Sequence, residues 1–154
     1  MTSQKIKLGE NSGYITIDEI KLHYVIEGKG IPCLVIGMPS SFYRPIFSSK
    51  IKEHIKFIFV GFKIFKPSVS INVSNLSMDT IIKDLEKIRN ALGFEKIAVL
   101  GHSAFGIVAL EYAFKYPEYV SHIIMICSFP PNTTEEYLKK DLDFGNLTQL
   151  KKGK

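Results

Sequence analysis

The 154-residue chain contains no tryptophan, only two cysteines and only two arginines. The scarcity of arginine and of cysteine each argues against a class of protein. Arginines interleaved with aromatic residues are typical of nucleic-acid-binding surfaces. The chain has no such pattern, which argues against a nucleic-acid partner. No apolar run approaches the roughly 18 residues that a membrane-spanning helix requires, which argues against a membrane protein. The net charge of +5 comes from dispersed lysines, and we interpret it as a solvated surface.

The sequence also offers few residues for cysteine or metal chemistry. Cys33 and Cys127 are far apart in apolar, strand-like runs, and we interpret both as buried thiols rather than as a disulfide or metal pair. No group of histidine, cysteine and carboxylate residues has metal-ligand spacing, and no glycine-rich phosphate loop follows a strand. The sequence therefore predicts neither a metal nor another cofactor. The polar N-terminus lacks the apolar core of a signal peptide, so we expect a cytoplasmic protein.

Apolar residues make up 45% of the chain, which predicts one domain with a sizeable core. Residues 1–13 are predicted to form a flexible leader, residues 14–144 the folded domain and residues 145–154 a frayed tail. No internal repeat, low-complexity tract or linker divides the domain. We therefore treat residues 14–144 as one folding unit.

Hydrophobic patterning predicts the elements of that domain. Alternation over residues 14–17 and 20–27 predicts an antiparallel hairpin around Asp18-Glu19. Wholly apolar runs predict buried parallel strands, and they occupy residues 33–36, 57–60, 97–100 and 123–127. An amphipathic helix is predicted from Ser77 or Asp79 to Gly93, and shorter helices near residues 45–54 and 134–143. The alternation of strands and helices predicts an α/β fold, a mostly parallel sheet with helices on both faces.

Residues 97–106 read IAVLGHSAFG and carry the most specific signal in the chain. The apolar strand is followed by Gly101-His102-Ser103 and then by a predicted helix over residues 104–116. A strand that bends sharply into a helix around a serine raises that serine at the carboxyl end of a sheet. The usual nucleophile elbow is G-x-S-x-G, whereas here Phe105 occupies the second glycine's position and Gly106 comes one residue later. Taken alone, Gly101-His102-Ser103 also fits a purely structural turn.

With its neighbours included, this stretch resembles the first half of an α/β-hydrolase-fold protein, in particular the branch with proline iminopeptidases and related esterases. The resemblance extends over residues 14–130 and depends on the order of its features. These are the leading hairpin, the Gly37-Met38-Pro39 loop, a loop ending at Ser68, the Gly101-His102-Ser103 turn, and the string over residues 109–120. It implies a partial α/β-hydrolase domain over residues 14–144, that is, a truncated form of the fold.

The resemblance implies acyl transfer on a small ester or amide substrate, with Ser103 as the nucleophile. The oxyanion would be held by the backbone N–H groups of Ala104 and Met38. The sequence departs from the family before the oxyanion loop, where Ile36-Gly37 replaces His-Gly. It departs again over residues 61–64, where an expected acidic residue and glycine are missing.

A serine nucleophile needs a histidine base and a carboxylate that orients it, and in this fold both follow the serine. The four histidines are His23, His54, His102 and His122, and no histidine lies beyond residue 122. None is expected to act as the base. Asp141 and Asp143 follow the sixth strand, but without a histidine they orient nothing.

Two hypotheses follow. In the first, the chain is a truncated serine hydrolase that is active only with a complementing C-terminal half. In the second, it is a catalytically silent relic or binding module of the same fold. In either case the apolar sixth strand is predicted to lie at a sheet edge, which favours pairing with such a half or self-association.

Overall fold

The computed structural model of the chain describes residues 12–37, 40–62 and 77–128. Within them, six strands form one sheet; they are β1 (Ser12–Ile17), β2 (Ile20–Glu27), β3 (Ile31–Ile36), β4 (Ile55–Val60), β5 (Ile97–His102) and β6 (Val120–Ile126). The strand order is β1-β2-β4-β3-β5-β6. The β1–β2 and β2–β4 pairs are antiparallel, whereas β4, β3, β5 and β6 run parallel. The predicted mostly parallel sheet with a leading hairpin is therefore confirmed.

The hairpin closes through a two-residue turn. Asp18 and Glu19 have φ angles of 46° and 67°, and Ile17 pairs with Ile20 across them. Positive φ at both central residues matches the twist of the flanking strands, which is why this type of turn connects tight hairpins. The first strand begins at Ser12, two residues earlier than its alternation indicated.

The helices of the described residues are α1 (Ser40–Tyr43), α2 (Ser49–Lys52), α3 (Met78–Ala91) and α4 (Phe105–Lys115), with a 3₁₀ turn at Pro117–Tyr119. The helix predicted over residues 45–54 is shorter than expected. Its start is fixed at Ser48, whose hydroxyl accepts from the Ile51 N–H. Its end is fixed because the chain must turn into β4 at Ile55. The loop ending at Ser68, the helix over 134–143 and the tail over 145–154 lie outside the described residues.

Both ends of α3 follow the sequence signals. The Ser77 hydroxyl accepts from the Thr80 N–H at 3.2 Å and caps the helix N-terminus. At the other end, Gly93 has a φ of 74°, and the Phe94 N–H reaches back to the Arg89 carbonyl at 3.2 Å. This is the Schellman arrangement, in which a left-handed glycine lets the chain satisfy the last helical carbonyls. It delivers the chain directly into β5.

Side chains alternate across the sheet, so two apolar layers form. One layer lies between the sheet and the α3–α4 pair and includes Leu34, Ile58, Leu85, Val99 and Tyr112. The other lies beneath α1 and includes Cys33, Val35, Tyr43, Phe57 and Leu100. The helices therefore cover both faces, as the sequence predicts.

A polar network joins α3 to α4 inside the first layer. The buried Arg89 guanidinium forms two hydrogen bonds with Glu86, at 2.6 and 2.9 Å, and also donates to the carbonyls of Phe94 and Glu95. The Tyr112 hydroxyl donates to Glu86 at 2.7 Å. Burial raises the pKa of Glu86, but hydrogen bonds from Arg89 and Tyr112 outweigh it and lower the pKa overall. Because every buried charge is partnered, removal of one member leaves the others unsatisfied.

We predict that Tyr112→Phe destabilises the chain by about 1 kcal/mol, because Glu86 Oε2 loses one of its two donors and keeps Arg89 Nε, while the ring packing remains. Urea unfolding measures the free energy of unfolding. Tyr14→Phe is the matched control, since Tyr14 is 59% exposed, and its effect should stay within about 0.5 kcal/mol. Equal losses in the two variants would contradict the structural role of the network.

A surface ion cluster joins the start of α3 to the end of α4. The Asp79 carboxylate is hydrogen-bonded by Lys115 and by Lys83, the latter at 2.7 Å. Those bonds, Lys115 first, lower the pKa of Asp79 from 3.8 to about 2.

We therefore predict an acid-dependent contribution from Asp79. A lowered pKa means that the carboxylate stabilises the folded chain above about pH 4 and that this stabilisation disappears as the pH falls towards 2. Asp79→Asn should be less stable than the parent at pH 6, and the difference should shrink as the pH is lowered towards 2, as urea unfolding at each pH would show. The exposed Glu118→Gln serves as the control. A stability difference for Asp79→Asn that does not shrink on acidification would contradict the assignment.

Candidate active site

The site predicted from the sequence is a bend between β5 and α4, which we call the Ser103 turn (residues 101–106). Ser103 has a φ of 56°, a left-handed conformation that non-glycine residues rarely adopt. Its N–H donates to the Ile126 carbonyl at 2.9 Å, and its carbonyl accepts from the Gly106 N–H at 3.0 Å. The turn is thus tied to the end of β6 and to the first turn of α4, and the Ser103 side chain is exposed.

Two glycines allow this bend. A Cβ on Gly101 would overlap the Phe105 carbonyl, and one on Gly106 would overlap the Ser128 side chain. Gly101 therefore lets α4 fold back against the strand that precedes it, and Gly106 lets the segment after β6 approach the helix. Steric contacts therefore explain why positions 101 and 106 of the sequence pattern are glycine.

The Phe105 side chain lies away from the close contacts that Gly101 and Gly106 make. Its ring lies against Gly37, and a Cβ added there would come within 2.8 Å of the ring. Gly37 has a φ of 132° and is buried at the end of β3. Position 105 can therefore hold a phenylalanine in place of the usual glycine, because Gly37 has no side chain and leaves room for the ring.

A second contact joins the Ser103 turn to the segment that follows β3. The hydroxyl of the buried Tyr43 lies 3.4 Å from His102 Nδ1, and the two rings meet edge to face at 6.0 Å. The sequence analysis did not identify Tyr43, because its partner is 59 residues away and neither residue belongs to a motif with the other. His102 is thereby held on the face opposite the α3–α4 layer.

The two predicted oxyanion donors differ in what the structure shows. Ala104 lies immediately before α4, and its N–H donates to no partner among the described residues. A backbone donor beside Ser103 at the exposed start of a helix is suited to a developing negative charge. Met38 lies outside the described residues.

All four histidines lie in the described part of the chain, and none of them hydrogen-bonds the Ser103 hydroxyl. His122 pairs with Ala98, five residues before Ser103, which corresponds to roughly 16 Å along the strand. His23 lies on β2, three strand spacings or about 14 Å from β5, and its ring contacts Tyr14. His54 precedes β4 at the opposite end of the parallel strands.

The cysteine prediction is half right. Cys33 is completely buried, and burial raises the pKa of its thiol to about 12, so it remains a protonated core residue. Cys127 is exposed, contrary to our expectation of a buried thiol. The reason is that β6 ends at Ile126 and Cys127 turns away with a φ of 49°. No group of three metal-ligating side chains occurs within residues 12–37, 40–62 and 77–128.

A groove of about 980 Å³ lies between β2 and the α1–α2 segment and does not include the Ser103 turn. In its wall, Glu27 is paired with Lys52 at 2.8 Å and with Arg44 at 2.5 Å. Burial raises the pKa of Glu27, but these two cations outweigh it and lower the pKa overall. The negative charge of the Glu27 carboxylate is thus balanced by two cations of the same chain.

A family model described as the alpha/beta hydrolase fold matches residues 47–152. The chain belongs to the α/β-hydrolase family. The AB hydrolase superfamily protein YclE of Bacillus subtilis is 34% identical over 94% of this chain and 52% of its own length. Epoxide hydrolase 1 of Caenorhabditis elegans is 30% identical over 79% of this chain and 31% of its own length.

Solved structures agree. An α/β-fold-family hydrolase from Bacillus anthracis superposes with a TM-score of 0.59 at 33% identity, over 74% of this α/β-hydrolase chain and 42% of the other. This chain thus spans about half the length, or less, of the relatives it matches. No helix in the described α/β-hydrolase residues is long and apolar enough to cross a membrane.

We predict that Gly101→Ala in this α/β-hydrolase chain destabilises by at least about 3 kcal/mol or prevents folding. The added methyl group overlaps backbone, which cannot move aside as a side chain can. Gly93→Ala is the control: Gly93 has a positive φ but no atom within 4 Å of an added Cβ, so only about 1–2 kcal/mol of backbone strain is expected. Urea unfolding would contradict this geometry if Gly101→Ala cost no more than Gly93→Ala.

Proposed function

We propose that this chain carries the nucleophile half of a serine hydrolase active site, with Ser103 as the nucleophile of an elbow. The observation that carries the proposal is the left-handed φ of an exposed Ser103 beside the Ala104 N–H, which has no acceptor among the described residues. Backbone strain of this kind costs about 1–3 kcal/mol and persists only where surrounding bonds hold it. Asp18 and Glu19 also have positive φ in the hairpin turn, so what distinguishes Ser103 is its position between a parallel strand and a helix.

The proposed reaction is acyl transfer to water. The Ser103 Oγ attacks the carbonyl carbon of an ester or amide while a base removes the hydroxyl proton. The carbonyl π electrons move onto oxygen, where the Ala104 N–H stabilises the charge; the resemblance assigns Met38 as the second donor. Collapse expels the alcohol or amine, which receives the proton, and water then releases the acid by the same two steps.

Serine chemistry favours an acyl substrate over an epoxide, although relatives of this chain include proteins named epoxide hydrolases. Attack by a serine oxygen on a carbonyl gives an ester, which water hydrolyses. Attack on an epoxide would give an ether, which water does not cleave under the same conditions. Ser103 therefore supports the esterase-like branch that the sequence indicated.

None of the four histidines of this chain is placed to act as the base for Ser103. Each imidazole lies too far from Ser103, or, in the case of His102, is turned towards Tyr43. We infer that Ser103 needs an acid and a base from outside the described residues and that these 154 residues alone react slowly. The competing function, a silent module of the same fold, is favoured by the same fact that no described residue hydrogen-bonds the Ser103 hydroxyl.

Chemical rescue separates the two functions. The purified chain is treated with a fluorophosphonate, and the modified residue is identified by peptide mass mapping at increasing concentrations of free imidazole. We predict that Ser103 is modified slowly without imidazole and at least about tenfold faster with it, because the elbow and Ala104 N–H remain while only the base is missing.

Two controls make the result specific. Ser103→Ala should abolish the imidazole-dependent modification, whereas Ser41→Ala, which changes another exposed serine, should leave it intact. If imidazole leaves Ser103 no more reactive than Ser41, the nucleophile role fails and the silent module is supported.

A further inference from the structure

The ring of Phe105 lies directly on the backbone of Gly37, in the space that a side chain at that position would fill. The ring atom Cδ2 is 2.8 Å from the place that a Gly37 Cβ would take, and Cγ and Cε2 are each 3.2 Å from it. Phe105 is the first residue of α4, and Gly37 immediately follows β3. The contact therefore joins the helix that begins after Ser103 to the segment that leaves the neighbouring strand.

These two segments leave the sheet side by side. Ile36, the last residue of β3, pairs with Gly101, so both strands reach the same edge of the sheet together. Outside that strand pairing, no backbone hydrogen bond joins Gly37 or residues 40–43 to the Ser103 turn in the described part of the chain. Beyond the sheet, the separation of the two segments is therefore set by side chains.

Two side-chain contacts set it, one on each face of the sheet. The Phe105 ring packs beside the layer under α3 and α4, whereas the Tyr43 hydroxyl meets His102 Nδ1 at 3.4 Å in the layer beneath α1. In sequence, the two contact residues of the turn flank Ser103 and Ala104. Contacts on opposite faces restrain tilting of the turn as well as its translation against the other segment.

The separation matters for the stabilisation of an oxyanion. Donors must lie about 2.7–3.1 Å from the charged oxygen, and a site of this kind tolerates a misplacement of only about 0.5 Å. Ala104 provides one donor on the Ser103 turn, and the resemblance assigns the second to Met38, which follows Gly37 in the sequence. The two donors belong to separate segments, so the distance between the segments decides whether one oxygen reaches both.

We propose that Phe105 is a positioning residue, whose ring is a spacer between the Ser103 turn and the segment that begins at Gly37. This role rests on the proposed function of Ser103. Phe105 acts through Gly37 and makes no bond to the reacting atoms. The bulk that departs from the usual G-x-S-x-G pattern thus has a use, because its removal leaves a gap over Gly37 into which the segment can shift.

Phe105 also contributes to packing, since it is partly buried beside the first core layer. A residue that serves packing alone would change the free energy of unfolding and leave the reactivity of each folded molecule unchanged. A positioning residue changes the rate of the chemical step within the folded chain. Rates corrected for the folded fraction, which urea unfolding provides, therefore separate the two roles.

The experiment measures how fast a fluorophosphonate modifies Ser103 in the presence of free imidazole, at a series of probe concentrations. The limiting rate and the half-saturating probe concentration are thus obtained separately. Phe105→Ala should lower the limiting rate about tenfold and change the half-saturating concentration by less than about twofold, because the transition state loses the alignment of its donors. Phe105→Leu keeps the branched carbons nearest Gly37 and should restore most of the rate.

Phe114→Ala is the matched control, because it removes the same ring from the same helix at a position that is 85% exposed. Its limiting rate should equal that of the parent. If Phe105→Ala does not fold, Phe105→Val replaces it, since valine fills more of the core but lacks the outer ring carbons. Its limiting rate should then lie below that of Phe105→Leu.

Phosphorus NMR of the Ser103 adduct gives a second readout that packing alone would not change. Hydrogen bonds to the phosphoryl oxygen shift the resonance, so the folded parent adduct should differ from the same adduct unfolded in urea. In folded Phe105→Ala, the resonance should move towards the unfolded value. In Phe114→Ala it should stay at the parent value.

The results separate the spacer role from the proposed function. If Ser103 of the parent chain is no more reactive than Ser41 with imidazole, the nucleophile role fails and the spacer role fails with it. If the parent reacts but folded Phe105→Ala keeps the parent's limiting rate or its phosphorus resonance, only the spacer role is overturned. The same holds if only the half-saturating concentration rises, because that indicates an altered entrance for the probe.

Discussion

The hydrogen bond from the Ser103 N–H to the Ile126 carbonyl is the interaction on which the site depends. It holds a non-glycine residue in a left-handed conformation at the point where β5 ends and α4 begins. Because the acceptor belongs to β6, the geometry of the serine requires the neighbouring parallel strand to be in place. The fold and the candidate chemistry therefore share one contact, and a disturbance of the β5–β6 pair would alter both.

Two further contacts attach this turn to the strand on the other side. Phe105 lies over Gly37, and His102 meets Tyr43, so the segment after β3 touches the residues that flank Ser103. The network of Glu86, Arg89 and Tyr112 holds α4 against α3 from behind. The serine is thus supported by both neighbouring strands and by the helix pair, which gives a rigid half-site without an attached base.

Much of the fold could be predicted from the sequence, because its signals are local. Alternation identified the hairpin, apolar runs identified the parallel strands, and Ser77 and Gly93 marked the ends of α3. The Ser103 turn could be recognised because the contact that requires Gly101 lies only four residues away at Phe105, whereas the contact of Gly106 with Ser128 could not be read from the spacing. The Tyr43–His102 contact and the exposure of Cys127 could not, because the first joins distant segments and the second depends on where β6 stops pairing.

A crystal structure of the chain after reaction with a fluorophosphonate tests the central claim most directly. The account predicts phosphorus bonded to the Ser103 Oγ, Ser103 still at positive φ, and a phosphoryl oxygen about 2.7–3.1 Å from the Ala104 nitrogen. An adduct on another residue would contradict it, and so would a Ser103 adduct whose phosphoryl oxygen points away from Ala104.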